Sequence, residues 1–309
     1  MSLYWDDFKR RVDEAVNSVK NNTKPPVRRV AVFVTNKCNF SCKYCNHKNK
    51  PETLTESKFG AVVEKYGATA IIHITGGEPS VVPWLYPFLR ENGGKYRFHL
   101  NTNAYITPPY KSVRRLKVSL DHFDPKTWDC LVGRDGAFNA VVSNIKRAIP
   151  YTITSITYTL TKKNYRDAIA FAKFTNREFK GLYALFFSVY KGTNPDYAIT
   201  GVDADNYFSS VLPQLESELP KESLALIRET IDEKRRLIQG IRFPENFKNI
   251  KTCYLSMSER VISPAGEEYT CSHLYRDKIY KLKPDKDVRC LYGCNRRLVQ
   301  FNEDVEALL

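Results

Sequence analysis

At 309 residues the chain is too long for a mini-protein, and at roughly 100–200 residues per domain it suits one large domain with at most a small companion. Lys+Arg 48 against Asp+Glu 34 leaves a formal charge of +14, while 42% hydrophobic and 13% aromatic residues exclude a disordered basic tail. No apolar run approaches the roughly 20 residues of a membrane-spanning helix, and the opening Met-Ser-Leu-Tyr-Trp-Asp-Asp carries charge where a secretion signal has its apolar core, so a cytoplasmic protein with no membrane partner is expected.

In chain order, Trp5, Phe8, Val12, Ala15 and Val19 recur three or four apart and predict an amphipathic helix over 4–20, broken by Asn21-Asn22-Thr23-Lys24-Pro25-Pro26. Strands are predicted over 30–34, 70–75, 96–101, 116–120, 152–159 and 182–189, with helices near 56–66, 83–91, 138–148 and 165–175. Strands separated by helices favour parallel pairing, because the crossover helix returns the chain to the same edge. An open α/β sheet and a partial barrel both satisfy this pattern, and both gather ligands at the carboxyl ends of their strands. A loop at 191–195 leads to polar helices near 203–219 and 223–239. From about Ile241 the texture changes to four cysteines, a hairpin over 260–271 turning at Pro264-Ala265-Gly266, and a short tail. The expected division is a helix over 1–26, a main α/β region over 27–200, a helical connector over 201–245 and a small module over 246–309.

Eight cysteines in a reducing compartment point to metal binding or catalysis before disulfides. Directly after the first strand, Cys38, Cys42 and Cys45 form Cys-x3-Cys-x2-Cys, three soft ligands able to converge on an iron–sulfur cluster or zinc. A structural zinc site needs a fourth ligand, which His47 could supply; three cysteines on a four-iron cluster leave one iron open. The second strand ends in Thr75-Gly76-Gly77-Glu78-Pro79, where glycines admit close backbone approach and a carboxylate can accept from an amino group.

Together these two motifs resemble the radical S-adenosylmethionine (SAM) superfamily, whose loop is Cys-x3-Cys-x-aromatic-Cys and whose next strand ends in a Gly-Gly-Glu-Pro type motif; Tyr44 fills the aromatic position. Thr102-Asn103-Ala104 resembles the family's Thr-Asn-Gly segment with Ala104 for glycine, Ser119-Leu120-Asp121 its Ser-Leu-Asp segment, and Arg134 an arginine that meets the methionine carboxylate. The resemblance spans about residues 27–189. It implies a partial (β/α)6 TIM-like barrel in which Cys38, Cys42 and Cys45 hold a [4Fe–4S] cluster whose open iron chelates SAM. Tyr44, Gly76, Gly77, Glu78, Pro79, Asn101, Asn103, Ser119, Asp121 and Arg134 would contact that cofactor. It further implies reductive cleavage of SAM to a 5′-deoxyadenosyl radical, hydrogen abstraction from a substrate, and an electron donor such as flavodoxin or ferredoxin.

In the tail, Cys253 and Cys271 flank Gly266, followed by Cys290 and Cys294. This resembles the opening of the auxiliary-cluster extensions named SPASM and twitch. Four cysteines suit the shorter twitch form with one auxiliary [4Fe–4S] cluster, although a structural zinc would also satisfy them. His273, two residues after Cys271, could tune that centre through hydrogen bonds to sulfur; Cys130 reads as a bystander. Of the remaining histidines, His73 and His99 lie inside predicted strands, and His122 is the candidate catalytic residue.

The lysines around the first cluster (Lys37, Lys43, Lys48, Lys50) and the pairs Arg28-Arg29, Arg114-Arg115, Lys162-Lys163 and Arg296-Arg297 favour an anionic substrate: a small molecule, an acidic peptide or a group borne on nucleic acid. Tyr151, Tyr158, Tyr183, Phe186, Phe187 and Tyr190 could stack on a flat substrate or simply fill the core. The competing reading is a basic nucleic-acid-binding metalloprotein with structural or redox-sensing metal sites.

Overall fold

A computed structural model describes residues 3–45, 51–190, 194–218, 253–270, 275 and 296–309. Helix α1 (Leu3–Lys20) precedes six strands: β1 (Arg29–Phe33), β2 (Ile71–Thr75), β3 (Phe98–Thr102), β4 (Arg115–Ser119), β5 (Ile153–Leu160) and β6 (Ala184–Val189). The crossovers carry α2 (Glu56–Tyr66), α3 (Leu85–Asn92), the consecutive pair α4 (Pro125–Val132) and α5 (Ala137–Ala148), and α6 (Ala168–Glu178). The strands pair in parallel in the order β6-β5-β4-β3-β2-β1, the open form of a barrel that the sequence anticipates.

The strands have two unlike faces. One carries Val30, Val32, Ile72, Ile74, Leu116, Val118, Ile156 and Phe187, all buried, in one core with Phe59 and Val63 of α2, Leu85 and Leu89 of α3, Trp128 of α4 and Phe171 of α6. That is the outer, helix-covered face. The inner face is read from the register as layers: Ala31, His73, His99 and Arg115 at one level, Asn101, Lys117, Ser155 and Ala184 at the next, then Ser119, Thr157 and Phe186. A sheet buried in apolar packing on both sides would show continuous hydrophobic strands; Arg-Leu-Lys-Val-Ser of β4 alternates instead.

Helix α4 has sharp local markers. Asp124 caps it, accepting from Thr127 N–H at 2.8 Å, Pro125 opens its first turn, and Gly133 ends it at φ 68°. Beyond β6, α7 (Gly201–Asn206), a wider turn at Tyr207–Val211 and α8 (Leu212–Glu218) form one continuous run where a single helix was expected; the expected helix over 223–239 lies outside the described residues.

The hairpin appears as β7 (Glu259–Ile262) and β8 (Glu268–Tyr269), antiparallel to each other. Strand β7 also pairs in parallel with β1, so the hairpin extends the main sheet. The tail, expected only to be short, contains the helix Arg296–Leu308, whose Phe301 and Val305 pack on Val12, Ala15 and Val16 of α1. No helix among the described residues is long and apolar enough to cross a membrane.

Glu259 locks this junction: its carboxylate meets Arg11 of α1 at 2.9 Å and Arg29 of β1 at 3.7 Å, with its side chain only 16% exposed. Glu259→Gln removes the charge that both guanidinium groups face. It is expected to lower stability by about 1–3 kcal/mol, between the exposed and buried limits for ion pairs. Urea unfolding reads the loss, and limited proteolysis should cut beyond Tyr254 first; an unchanged midpoint would remove the lock.

Candidate functional site

The cysteine loop leaves β1 and crosses directly over the end of β2. Gly77 N–H donates to Thr35 O at 2.7 Å and Glu78 N–H to Lys37 O at 2.8 Å. A Cβ on Gly76 would lie 2.5 Å from Thr35 O, and one on Gly77 only 2.2 Å from Lys37 O, so any side chain would push the loop off the strand. The close approach expected of these glycines is therefore to the cysteine loop itself.

Glu78 is buried and turned toward β3. One carboxylate oxygen accepts from Ser80 N–H at 2.9 Å and Thr102 Oγ1 at 2.6 Å, the other from Asn103 N–H at 2.6 Å. Burial raises its pKa, and these hydrogen bonds pull it back. Pro79, also buried, opens the single turn Pro79–Val81. Asn103 reaches back to the loop, its side-chain amide donating to Asn39 Oδ1 at 2.7 Å.

The loop's far end is tied to β4 and β5. Tyr44 OH donates to Asp121, whose other oxygen accepts Thr159 N–H. Burial holds the Asp121 carboxyl up at about 6 despite both bonds. The Tyr44 ring packs against Tyr190 and Tyr197, centroids 6.3 and 6.0 Å away. Ser41 and Lys43 N–H groups donate to Val132 O and Leu131 O, at 2.9 and 3.0 Å, at the end of α4. Arg134, exposed, stands beside the loop, donating to Asn39 O at 3.3 Å and lying 4.3 Å over the Tyr105 ring.

Within this frame Cys38 and Cys42 are half-buried and Cys45 is exposed. Burial pushes the Cys38 thiol up to about 11 and Cys42 higher still, with each of the other two sulfurs adding to the Cys42 rise. The three sulfurs thus lie within electrostatic reach of one another.

Residues 32–175 match the family described as the Radical SAM superfamily. This chain carries a radical SAM domain. Curated relatives include the GTP 3′,8-cyclase of Staphylococcus haemolyticus, 26% identical over 43% of this chain and 46% of the relative, and that of Staphylococcus carnosus, 27% identical over the same shares. The chain spans less than half the length of these relatives. Streptococcus suis SuiB bound to S-adenosylmethionine superposes with a TM-score of 0.61 at 15% identity, covering 91% of this chain and 70% of SuiB. The structure of anSMEcpe with bound AdoMet gives 0.61 at 16%, over 89% and 80%. At such identities the likeness establishes a shared fold.

The donor set Cys38, Cys42 and Cys45 of the radical SAM domain fits a cluster, which takes each thiolate on a separate iron. A bound metal would also relieve the unfavourable charge that keeps these thiols protonated. Beside them, among the described residues, Asn36 Oδ1 and Asn39 Nδ2 are buried without a hydrogen bond, which marks polar ligand space. His47 lies outside the described residues.

Other expected positions divide. Asn101 and Ser119 occupy inner-face register positions, opposite Lys117 and Thr157. His122 is a fixture of the loop before α4: Nδ1 accepts from Asp124 N–H at 3.0 Å, Nε2 lies 3.6 Å from Asp167, and the ring stacks on Phe123. Of the six aromatic candidates, Phe186 is on the inner face and Tyr190 beside Tyr44, whereas Tyr158 and Phe187 are outer core and Tyr151 and Tyr183 are exposed.

Cys253, half-buried, precedes the helix Leu255–Ser258 that feeds β7. Because β7 runs parallel to β1, Cys253 enters at the amino end of the sheet, opposite the cysteine loop. Cys271, His273, Cys290 and Cys294 lie outside the described residues. Cys130 is exposed, 2.9 Å from Lys43 Nζ. Sequence reading missed Asn39 and Tyr197 and gave Thr102 no role beyond its motif; proximity in space reveals what they do.

Ala104 takes a left-handed conformation, φ 54°, fully buried, its carbonyl accepting from Asn144 Nδ2 at 2.9 Å. Ala104→Gly is expected to stabilise the fold by up to about 1 kcal/mol, the strain relieved less the added freedom of the unfolded chain. A lower urea midpoint would show that the methyl's packing outweighs the strain.

On the inner face His73 and His99 are neighbours, ring centroids 6.1 Å apart. Burial, then Arg115 and Arg29, push His99 down to about 4, and His73 moves the same way. Between pH 6.5 and 4 the unfolded chain therefore takes up a proton that folded His99 refuses, and stability falls as pH falls through that window. His99→Asn should flatten this acid slope in denaturant titrations of the metal-free chain. An unaltered slope would mean that folded His99 takes up its proton over the same pH range as in the unfolded chain.

Proposed function

We propose that the protein is a radical SAM enzyme acting on an anionic substrate held against the inner face of the sheet. The observation carrying this reading is the fastening of three thiols, within electrostatic reach of one another, at the carboxyl ends of the strands, above a face lined by polar side chains. When bound there by Cys38, Cys42 and Cys45, a [4Fe–4S] cluster supplies the electron that cleaves SAM to the 5′-deoxyadenosyl radical for hydrogen abstraction.

The chain's own residues position and seclude. Gly76 and Gly77 seat the loop, Glu78 joins its base to β3, and the Tyr44–Asp121 bond joins its end to β4, so the thiols move with the sheet. Asn36 and Asn39 offer an acceptor and a donor for the polar ends of SAM. Tyr44, Tyr190 and Tyr197 form an aromatic wall that keeps water away. Cys253, Cys271, Cys290 and Cys294 are assigned to an auxiliary [4Fe–4S] cluster, and the electron donor to a flavodoxin or ferredoxin. The reaction class is oxidation, rearrangement or bond formation. An anionic substrate accords with the net charge of +14 and with relatives named for GTP.

Anaerobic reconstitution tests this. The wild-type chain should take up about eight irons and form 5′-deoxyadenosine with dithionite and SAM. Cys42→Ala should take up about four and form none. Stoichiometric zinc with no SAM cleavage would overturn the proposal.

A further inference from the structure

We propose that the amino end of β4, β5 and β6, the end of the sheet away from the cysteine loop, binds single-stranded nucleic acid, with bases on exposed tyrosines and phosphates on the cations between them. This surface is separate from the radical SAM site and does not rest on the reading of that site.

The backbone brings three strand entries together. Thr152 Oγ1 donates to Val113 O at 2.7 Å and Tyr183 N–H to Thr154 O at 2.9 Å, so the entry of β5 lies between those of β4 and β6. With neighbouring strands about 4.8 Å apart, the row is about 10 Å across. On it Tyr151, Ile153 and Tyr183 are 58%, 44% and 44% exposed. Large apolar side chains grouped in water mark a surface that something covers.

Tyr151 has the geometry of a stacking surface. Tyr110 lies against it, centroids 5.4 Å apart and planes at 25°, and Lys111 Nζ stands 4.6 Å from its centroid. Half-buried Tyr110 backs the exposed ring and fixes its plane. A base sliding onto Tyr151 displaces the Lys111 ammonium from the ring, and the nucleotide's own phosphate then receives it. Arg114 and Lys180 are exposed in the same entries. Residues 93–120, 136–166 and 179–190, which supply all of these side chains, contain no Asp or Glu. The charge calls for an anion and the rings for flat partners, and a single strand meets both requirements at once. An acidic peptide meets only the first, and a duplex seals its bases away from the rings. A membrane surface is met by an amphipathic helix, whereas this end is built of strand entries and loops.

Fluorescence anisotropy of the reconstituted full chain with a labelled oligothymidylate of about twenty nucleotides tests the assignment. Saturable binding is expected, weakened about tenfold or more by Tyr151→Ala and restored by Tyr151→Phe, which keeps the ring. Lys111→Gln and Arg114→Gln should each weaken binding and lower the salt slope by about one. Lys126→Gln, at an exposed cation in the first turn of α4 by the opposite end of the sheet, should leave both unaltered. If Tyr151→Ala does not fold, Arg114→Gln and its salt slope decide. No saturable binding by the parent chain, parental affinity in Tyr151→Ala or an equal loss in Lys126→Gln would each overturn the proposal. So would polyglutamate, duplex DNA or phosphatidylserine vesicles bound as tightly as the oligothymidylate.

Discussion

The crossing of the cysteine loop over the end of β2 is a contact between two backbones, and the rest of the site is built on it. Hydrogen bonds from Gly77 and Glu78 to Thr35 and Lys37 require the chains to approach closer than a Cβ permits. Once the loop is seated there, Asn39 comes within reach of Asn103, Ser41 and Lys43 meet the end of α4, and Tyr44 finds Asp121. Each later contact presupposes the first. Glu78 gives the crossing its stiffness, because a buried carboxylate held by Ser80, Thr102 and Asn103 cannot turn without leaving polar groups unsatisfied.

Much of this was legible in the sequence, for identifiable reasons. The order of strands and helices followed from period alone, since each βα unit supplies its own apolar stripe. The Cys-x3-Cys-x2-Cys loop and Gly-Gly-Glu-Pro turn were legible because local spacing is the requirement they meet. Other features depended on pairing. That Glu78 faces β3 is decided by a hydroxyl and an amide 24 and 25 residues away. That β7 joins β1 is decided by a register across more than 200 residues, with no local marker. His122 follows the strand-end aspartate, but the short turn into α4 directs its ring to Asp124 and Asp167. The polar inner face did leave a trace in the alternation of β4 and in Phe-His-Leu-Asn-Thr of β3, and strand patterning could have disclosed it.

The two faces of the sheet divide stability from chemistry. The outer face buries aliphatic and aromatic residues against five helices and supplies the apolar burial that holds the strands together. The inner face is thereby released from that duty and can carry imidazoles, hydroxyls and cations. Near β1 and β7 it closes again, where Phe33, Val261 and Tyr275 form a small apolar cluster. The polar stretch is thus bounded on one side by that cluster and above by the loop and its tyrosines.

Charge on this inner face is set jointly by elements far apart in the chain. Glu259 of β7, held by Arg11 of α1, stands against Arg29 and damps its field. His73 and His99, driven toward the neutral form by burial and by the neighbouring guanidinium groups, add hydrogen-bonding capacity without adding charge near neutral pH. On β4, Arg115 and Lys117 both lie over the Phe186 ring of β6. A negative charge placed beside these imidazoles would stabilise their protonated form and raise the affinity of both histidines for protons.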